Sequence, residues 1–151
     1  MRMRRWIVLG LGASLLIAAA CGDDGPAAGD PVATAPIEDP LAGASAEASL
    51  PLVMRDISFD RDVLELTAGQ VVEIALENRG TLAHDFTIDE IPAEVSAAGL
   101  RRPDNFNVHV PLGRGGTAEL LLRVTEPGEY VFYCSIPGHR QAGMEGTLVV
   151  R

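Results

Sequence analysis

The chain has 151 residues with 21 acidic and 12 basic side chains, all of the latter arginine, for a formal charge of −9. That balance argues against nucleic acid as a partner, since phosphate binding needs a basic face. The length allows one domain with a modest core once segments that cannot fold are set aside.

The first five residues contain Arg2, Arg4 and Arg5, and residues 6–20 are apolar and end in small side chains. This stretch is too short to span a bilayer comfortably and reads as an export signal. The run Leu15-Leu16-Ile17-Ala18-Ala19-Ala20-Cys21 resembles a bacterial lipoprotein cleavage box, in which the cysteine becomes residue one and carries the lipid. Ala18 stands where that box usually has Leu, so ordinary cleavage after Ala20 and an uncleaved anchor are the alternatives. Residues 22–50 hold six acids, no bases and much Ala, Gly and Pro. No strand or helix period survives there, so residues 21–50 are expected to form a tether. A coil of this length spans about 30 Å, enough to let an anchored domain sweep the membrane surface.

Residues 51–151 change character. Short alternating runs (63–66, 71–76, 84–88, 108–110, 118–124, 130–133 and 146–150) are separated by turn signals such as Asn78-Arg79-Gly80, Gly113-Arg114-Gly115-Gly116 and Glu126-Pro127-Gly128. Strands at these intervals predict an all-β fold, an antiparallel sandwich or Greek-key barrel. Pro92 and Gly99 bracket a stretch expected to make one or two helical turns. Asp56, Asp60 and Asp62 lack the glycine and final carboxylate of a calcium loop and read as a turn. His109, in Asn107-Val108-His109-Val110, reads as a surface or hydrogen-bonded strand residue.

The chemistry concentrates in Tyr133-Cys134-Ser135-Ile136-Pro137-Gly138-His139-Arg140-Gln141-Ala142-Gly143-Met144. Cys134, His139 and Met144 are evenly spaced as Cys-x4-His-x4-Met. Soft sulfur donors beside imidazole select copper, and the blue-copper set is two His and one Cys with a weak axial Met. His84, in Thr81-Leu82-Ala83-His84-Asp85-Phe86, supplies the second imidazole. Singly, Cys134 would pass as a buried hydrophobe, Met144 as core filler and His139 as a turn residue. Their spacing, the Pro137-Gly138 turn and an upstream strand His outweigh those readings together. Structural zinc sites take more thiolates and do not recruit a thioether. The only other thiol, Cys21, lies at the processing site, so a disulfide to Cys134 is not expected.

On these residues the chain resembles a cupredoxin, a small blue copper protein of the plastocyanin/azurin type, across residues 51–151. The resemblance implies a two-sheet Greek-key β-sandwich with one copper ion at one end, ligated by His84, Cys134, His139 and Met144. It implies an exported, monomeric one-electron carrier whose partners are redox proteins such as a cytochrome or an oxidase. The electron would leave through His139, within a patch of Leu82, Ala83, Ile136, Pro137 and Ala142 rimmed by Arg140. Family members commonly have Asn after the first ligand His, where this chain has Asp85. Its carboxylate is expected to accept from Ser135, and the amides of Asp85 and Ile136 to reach the Cys134 sulfur. Two competing classes follow. A copper oxidase or nitrite reductase needs clustered additional histidines, and the chain has three in all. A copper chaperone or store remains the alternative.

Overall fold

A computed structural model describes residues 39–96 and 107–151. The expected export signal, Cys21 and the expected tether up to residue 38 lie outside the described residues. Alternating apolar side chains, which place every second residue on one face, build ten strands among them: β1 (Ala48–Arg55), β2 (Ser58–Phe59), β3 (Val63–Leu66), β4 (Val72–Asn78), β5 (His84–Ile88), β6 (Ala93–Val95), β7 (Val108–Leu112), β8 (Thr117–Val124), β9 (Gly128–Tyr133) and β10 (Glu145–Val150). They form two five-stranded sheets ordered β2-β1-β4-β8-β6 and β3-β10-β9-β5-β7. The pairs β1–β4 and β3–β10 are parallel and the rest antiparallel. This is the two-sheet sandwich expected from the sequence.

Inward residues of both sheets share one core. Leu52, Met54, Ile74, Leu76, Leu120 and Leu122 come from the first, and Leu64, Phe86, Ile88, Phe132 and Leu148 from the second. Each such side chain contributes about 1.5–3 kcal/mol by leaving water. Phe132 anchors the C-terminal end of β9, with its ring centroid 5.2 Å from Phe59 and 5.4 Å from Phe86. Gly146 pairs with it across β9 and β10. A Cβ at 146 would collide with the Phe132 ring and lie 2.7 Å from the Asp62 carbonyl oxygen, which is why glycine stands there.

Two boundaries differ from expectation. The expected domain start at residue 51 falls inside β1, which already pairs with β4 from Ala48 against Val72. Further back, Leu41 is buried and its amide is capped by Asp39, while Glu47 exchanges bonds with Val71 in both directions. Backbone pairing carries this segment, so its small side chains gave no apolar period. The helical excursion over 92–99 is corrected for its described part. Residues 93–95 form β6 and extend the first sheet, with Ala93 opposite Val124 and Val95 opposite Leu122. A single helical turn is marginal in water, whereas pairing here satisfies the edge of β8 and buries Val95. Residues 97–99 lie outside the described residues. The helical segment that is described is instead a 3-10 turn, Arg140–Ala142.

Candidate metal centre

The site forms where β5 meets the connection between β9 and β10. β5 is buried along its whole length, because its inward side chains enter the core while Asp85 and Thr87 on the opposite face are covered by hydrogen-bonding neighbours. His84 opens this strand. The β9–β10 connection folds back by hydrogen bonds from Cys134 N to Met144 O and from Met144 N to His139 O, both 3.0 Å, with His139 N reaching Ile136 O at 3.0 Å. Gly138 and Gly143 take the left-handed backbone (φ 92° and 98°) that lets so short a loop reverse twice. Residues five apart in sequence are thereby gathered together.

His139 Nδ1 lies 3.3 Å from His84 Nδ1 and 3.3 Å from Cys134 Sγ. The donor atoms of His84, Cys134 and His139 all fall within 4.8 Å of one another, with the two rings tilted by 50°. Cys134, His84 and Met144 are buried, and His139 is half-buried. Met144 is tied through its backbone to both Cys134 and His139. Two imidazole nitrogens aimed at a shared point beside one sulfur, with a buried thioether at the loop's far end, fit a single copper ion.

Burial pushes the Cys134 thiol upward, opposed by the Asp85 and Ile136 amides that donate to its sulfur. Burial, then the neighbouring His139, pulls His84 below the ordinary histidine value. The lowered His84 value suits the metal, which needs the neutral imidazole; the raised thiol opposes it, and the metal must draw that proton off when it binds.

Asp85 is the hub of the surrounding network. One carboxylate oxygen accepts from Ser135 N at 2.6 Å and Thr87 Oγ1 at 3.1 Å. The other accepts from Ser135 Oγ at 2.7 Å and lies 3.4 Å from His109 Nε2. The contact expected between Asp85 and Ser135 is therefore made twice, fastening β5 to the residue after the cysteine. His109 lies half-buried on β7, opposite Thr87, and belongs with Asp85, away from the ligand cluster.

Around His139, Leu82 is 46 % exposed, Ala83, Pro137 and Ala142 are exposed, and Ile136 is half-buried. Arg140 is exposed and tethered. Its guanidinium sits 4.1 Å above the Tyr133 ring and pairs with Glu145 at 3.0 Å. The Tyr133 hydroxyl donates to Asp89, and burial together with that acceptor pushes its pKa up to about 12.

Two positioning residues escaped the sequence reading. Asn78, wholly buried, donates to the carbonyls of Leu82, Leu112 and Gly113 and accepts from Gly80 N at 2.9 Å, shaping the segment that delivers His84. The Asn78-Arg79-Gly80 turn signal pointed to the place but not to this role. Asp56, read as a turn residue, accepts from Thr81 N at 2.6 Å, Thr81 Oγ1 at 2.9 Å and Leu82 N at 3.1 Å. Those donors hold its carboxyl below the usual range.

A family model described as a cupredoxin-like domain matches residues 31–150. The chain belongs to the cupredoxin-like family. The match starts well before residue 51, in keeping with the ordered segment ahead of β1. This cupredoxin is 30 % identical over 125 residues to the copper-resistant cuproprotein CopI of Rubrivivax gelatinosus, covering 79 % of this chain and 76 % of that one. It is also 30 % identical over 111 residues to auracyanin-B of Chloroflexus aurantiacus, covering 62 % of this chain and 47 % of that one. Among solved structures, dithionite-reduced auracyanin from Roseiflexus castenholzii superposes with a TM-score of 0.56 at 20 % identity, over 71 % of this chain and 99 % of that one. That likeness establishes the fold.

Proposed function

We propose that this cupredoxin is a one-electron carrier of the type 1 copper class, working outside the cytoplasm. His84, Cys134 and His139 would hold one copper ion, with Met144 as the weak axial donor. The observation that carries the reading is the approach of two imidazole nitrogens and one thiol sulfur to within 4.8 Å, with His139 Nδ1 3.3 Å from both His84 Nδ1 and Cys134 Sγ. Copper supplies the change between cupric and cuprous states, and the residues supply rigidity. His84 sits on a strand and the loop donors are cross-bonded through their backbone, so the donor set changes little between the two states. Burial of Cys134 and Met144 keeps water away. The half-buried His139, surrounded by Leu82, Ala83, Ile136, Pro137 and Ala142, is the edge through which an electron passes. A small apolar contact suits partners, such as a cytochrome or an oxidase, that must dock and release quickly. With three histidines in the chain, a multicopper catalytic centre lacks donors, and the protein is read as a carrier, not an enzyme. Cys21 is read as the acylated residue that tethers the domain to the membrane. Cys21→Ala should then move the protein from the membrane fraction to the soluble one.

The CopI relatives support a second reading, in which the bound copper is handled or buffered as part of resistance. Visible spectroscopy and voltammetry separate the two. A carrier loaded with cupric ion shows an intense thiolate-to-copper band, lost in Cys134→Ser, and a reversible one-electron wave. A chaperone prefers cuprous ion and surrenders it to an acceptor. A colourless protein after cupric loading would refute the carrier.

A further inference from the structure

The far nitrogen of His84 is an anomaly. Nδ1 faces the other ligands, while Nε2 is buried and makes no hydrogen bond. A buried, unpaired imidazole nitrogen is costly unless a partner stands close. Asp56 faces it, with Oδ1 3.8 Å from Nε2.

Asp56 is held at that position by several independent features. It sits at the turn between β1 and β2, where Ile57 takes the left-handed conformation at φ 59°, which a β-branched residue rarely adopts. Its carboxylate is clamped by Thr81 and Leu82, in the segment leading into His84, so carboxylate and imidazole are carried by one local unit. Gly80 is needed for this approach, because a Cβ there would lie 2.6 Å from Asp56 Oδ1 and 3.0 Å from its amide nitrogen. A loop cap alone would explain the clamp. It would not explain why the carboxylate ends beside a buried ligand nitrogen that has no hydrogen bond.

We propose that Asp56 is a positioning residue for the metal centre, forming a carboxylate–imidazole pair that holds His84 in the tautomer with the proton on Nε2 and the lone pair on Nδ1 facing Cys134 and His139. Ligation through Nδ1 would make the Nε2–H a stronger donor toward the Asp56 carboxylate, 3.8 Å away. Carboxylates in this place orient ligating histidines, and their loss typically weakens metal binding by about 10- to 100-fold. The negative charge also favours the more oxidised metal. The inference rests on the copper reading above, but half of its test does not.

The test compares the full chain with Asp56→Asn and Thr81→Val. Imidazole nitrogen spectra of the metal-free protein report the His84 tautomer directly. The proton is expected on Nε2 in the wild type and distributed between both nitrogens in Asp56→Asn. Copper(I) competition with a chromogenic chelator should show affinity falling about 10- to 100-fold in that variant, with a higher reduction potential. Thr81→Val, which removes only one clamping bond, should keep the wild-type tautomer and affinity. An unchanged tautomer and affinity in Asp56→Asn, or equal losses in Thr81→Val, would reduce Asp56 to a loop cap and overturn the proposal. If the wild type takes up no copper, the carrier reading fails separately, and the metal-free spectra still decide the role of Asp56.

Discussion

Replacing Asp85 by Asn keeps the shape of the side chain and removes its charge. In the native site the carboxylate accepts two short bonds from Ser135, at 2.6 and 2.7 Å, and a third from Thr87 at 3.1 Å. An Asn oxygen can still take the Ser135 amide, but its NH2 then faces Ser135 Oγ and His109 Nε2, where two acceptor contacts stood. Charge-assisted bonds contribute about 1.5–3 kcal/mol each against about 0.5–1.5 for neutral ones, so the variant should lose about 1–3 kcal/mol. For a domain near 100 residues, that is a fall in melting temperature of roughly 5–20 °C. The potential should move the other way. As a general scale, a unit charge about 7 Å from a redox ion in an effective dielectric near 20 shifts the balance between oxidation states by about 2 kcal/mol, roughly 90 mV for one electron. Solvent screening reduces this to tens of millivolts upward. Voltammetry of the copper-loaded variant against wild type, alongside thermal melts, measures both quantities. A potential that stays put or drops would refute the electrostatic role assigned to Asp85, whatever the melting curve does.

Two further expectations concern the scaffold. Gly146→Ala drives a methyl group into the Phe132 ring and against the fixed Asp62 carbonyl. Overpacking of this kind costs about 1–3 kcal/mol, whereas Gly113→Ala meets nothing within 4 Å and should melt with the wild type; equal melting of both variants would contradict the packing described here. In the metal-free protein, His84 is held below its ordinary value by burial, so as pH falls below about 6.5 the unfolded chain takes up a proton that the folded one resists, and stability declines. Cys134 acts at the other end: its thiol is held up by burial, so stability declines as pH rises past about 8.5 and the unfolded thiol ionises first. Melts across this range should show a plateau between the two values, and its acid side should flatten in His84→Gln; an acid slope of the same size in that variant would remove His84 as the cause.

Alternation of apolar and polar residues along 63–66, 71–76, 118–124 and 146–150 was enough to declare an all-β sandwich or barrel, because a strand with one face in the core has no other way to arrange its side chains; the family resemblance chose the sandwich. The Cys-x4-His-x4-Met spacing was equally legible, since its three donors lie in one short loop whose glycines permit the reversal. Composition misled where backbone pairing, not side-chain burial, ordered the chain. Residues 48–50 joined a sheet without an apolar period, and 93–95 became an edge strand because β8 offered a free ladder.

The donor chemistry was thus written in the sequence: a thiolate, two imidazoles and a thioether name their metal wherever they meet. Their meeting was not. The 3.3 Å between His84 and His139 spans 55 positions of chain, and only the packing of β5 beside β9 brings those rings together. The same holds for Asp56, Asn78 and His109, which carry no motif. Their roles arise because hydrogen-bonding and electrostatic partners distant in sequence become neighbours once two sheets close on a common core.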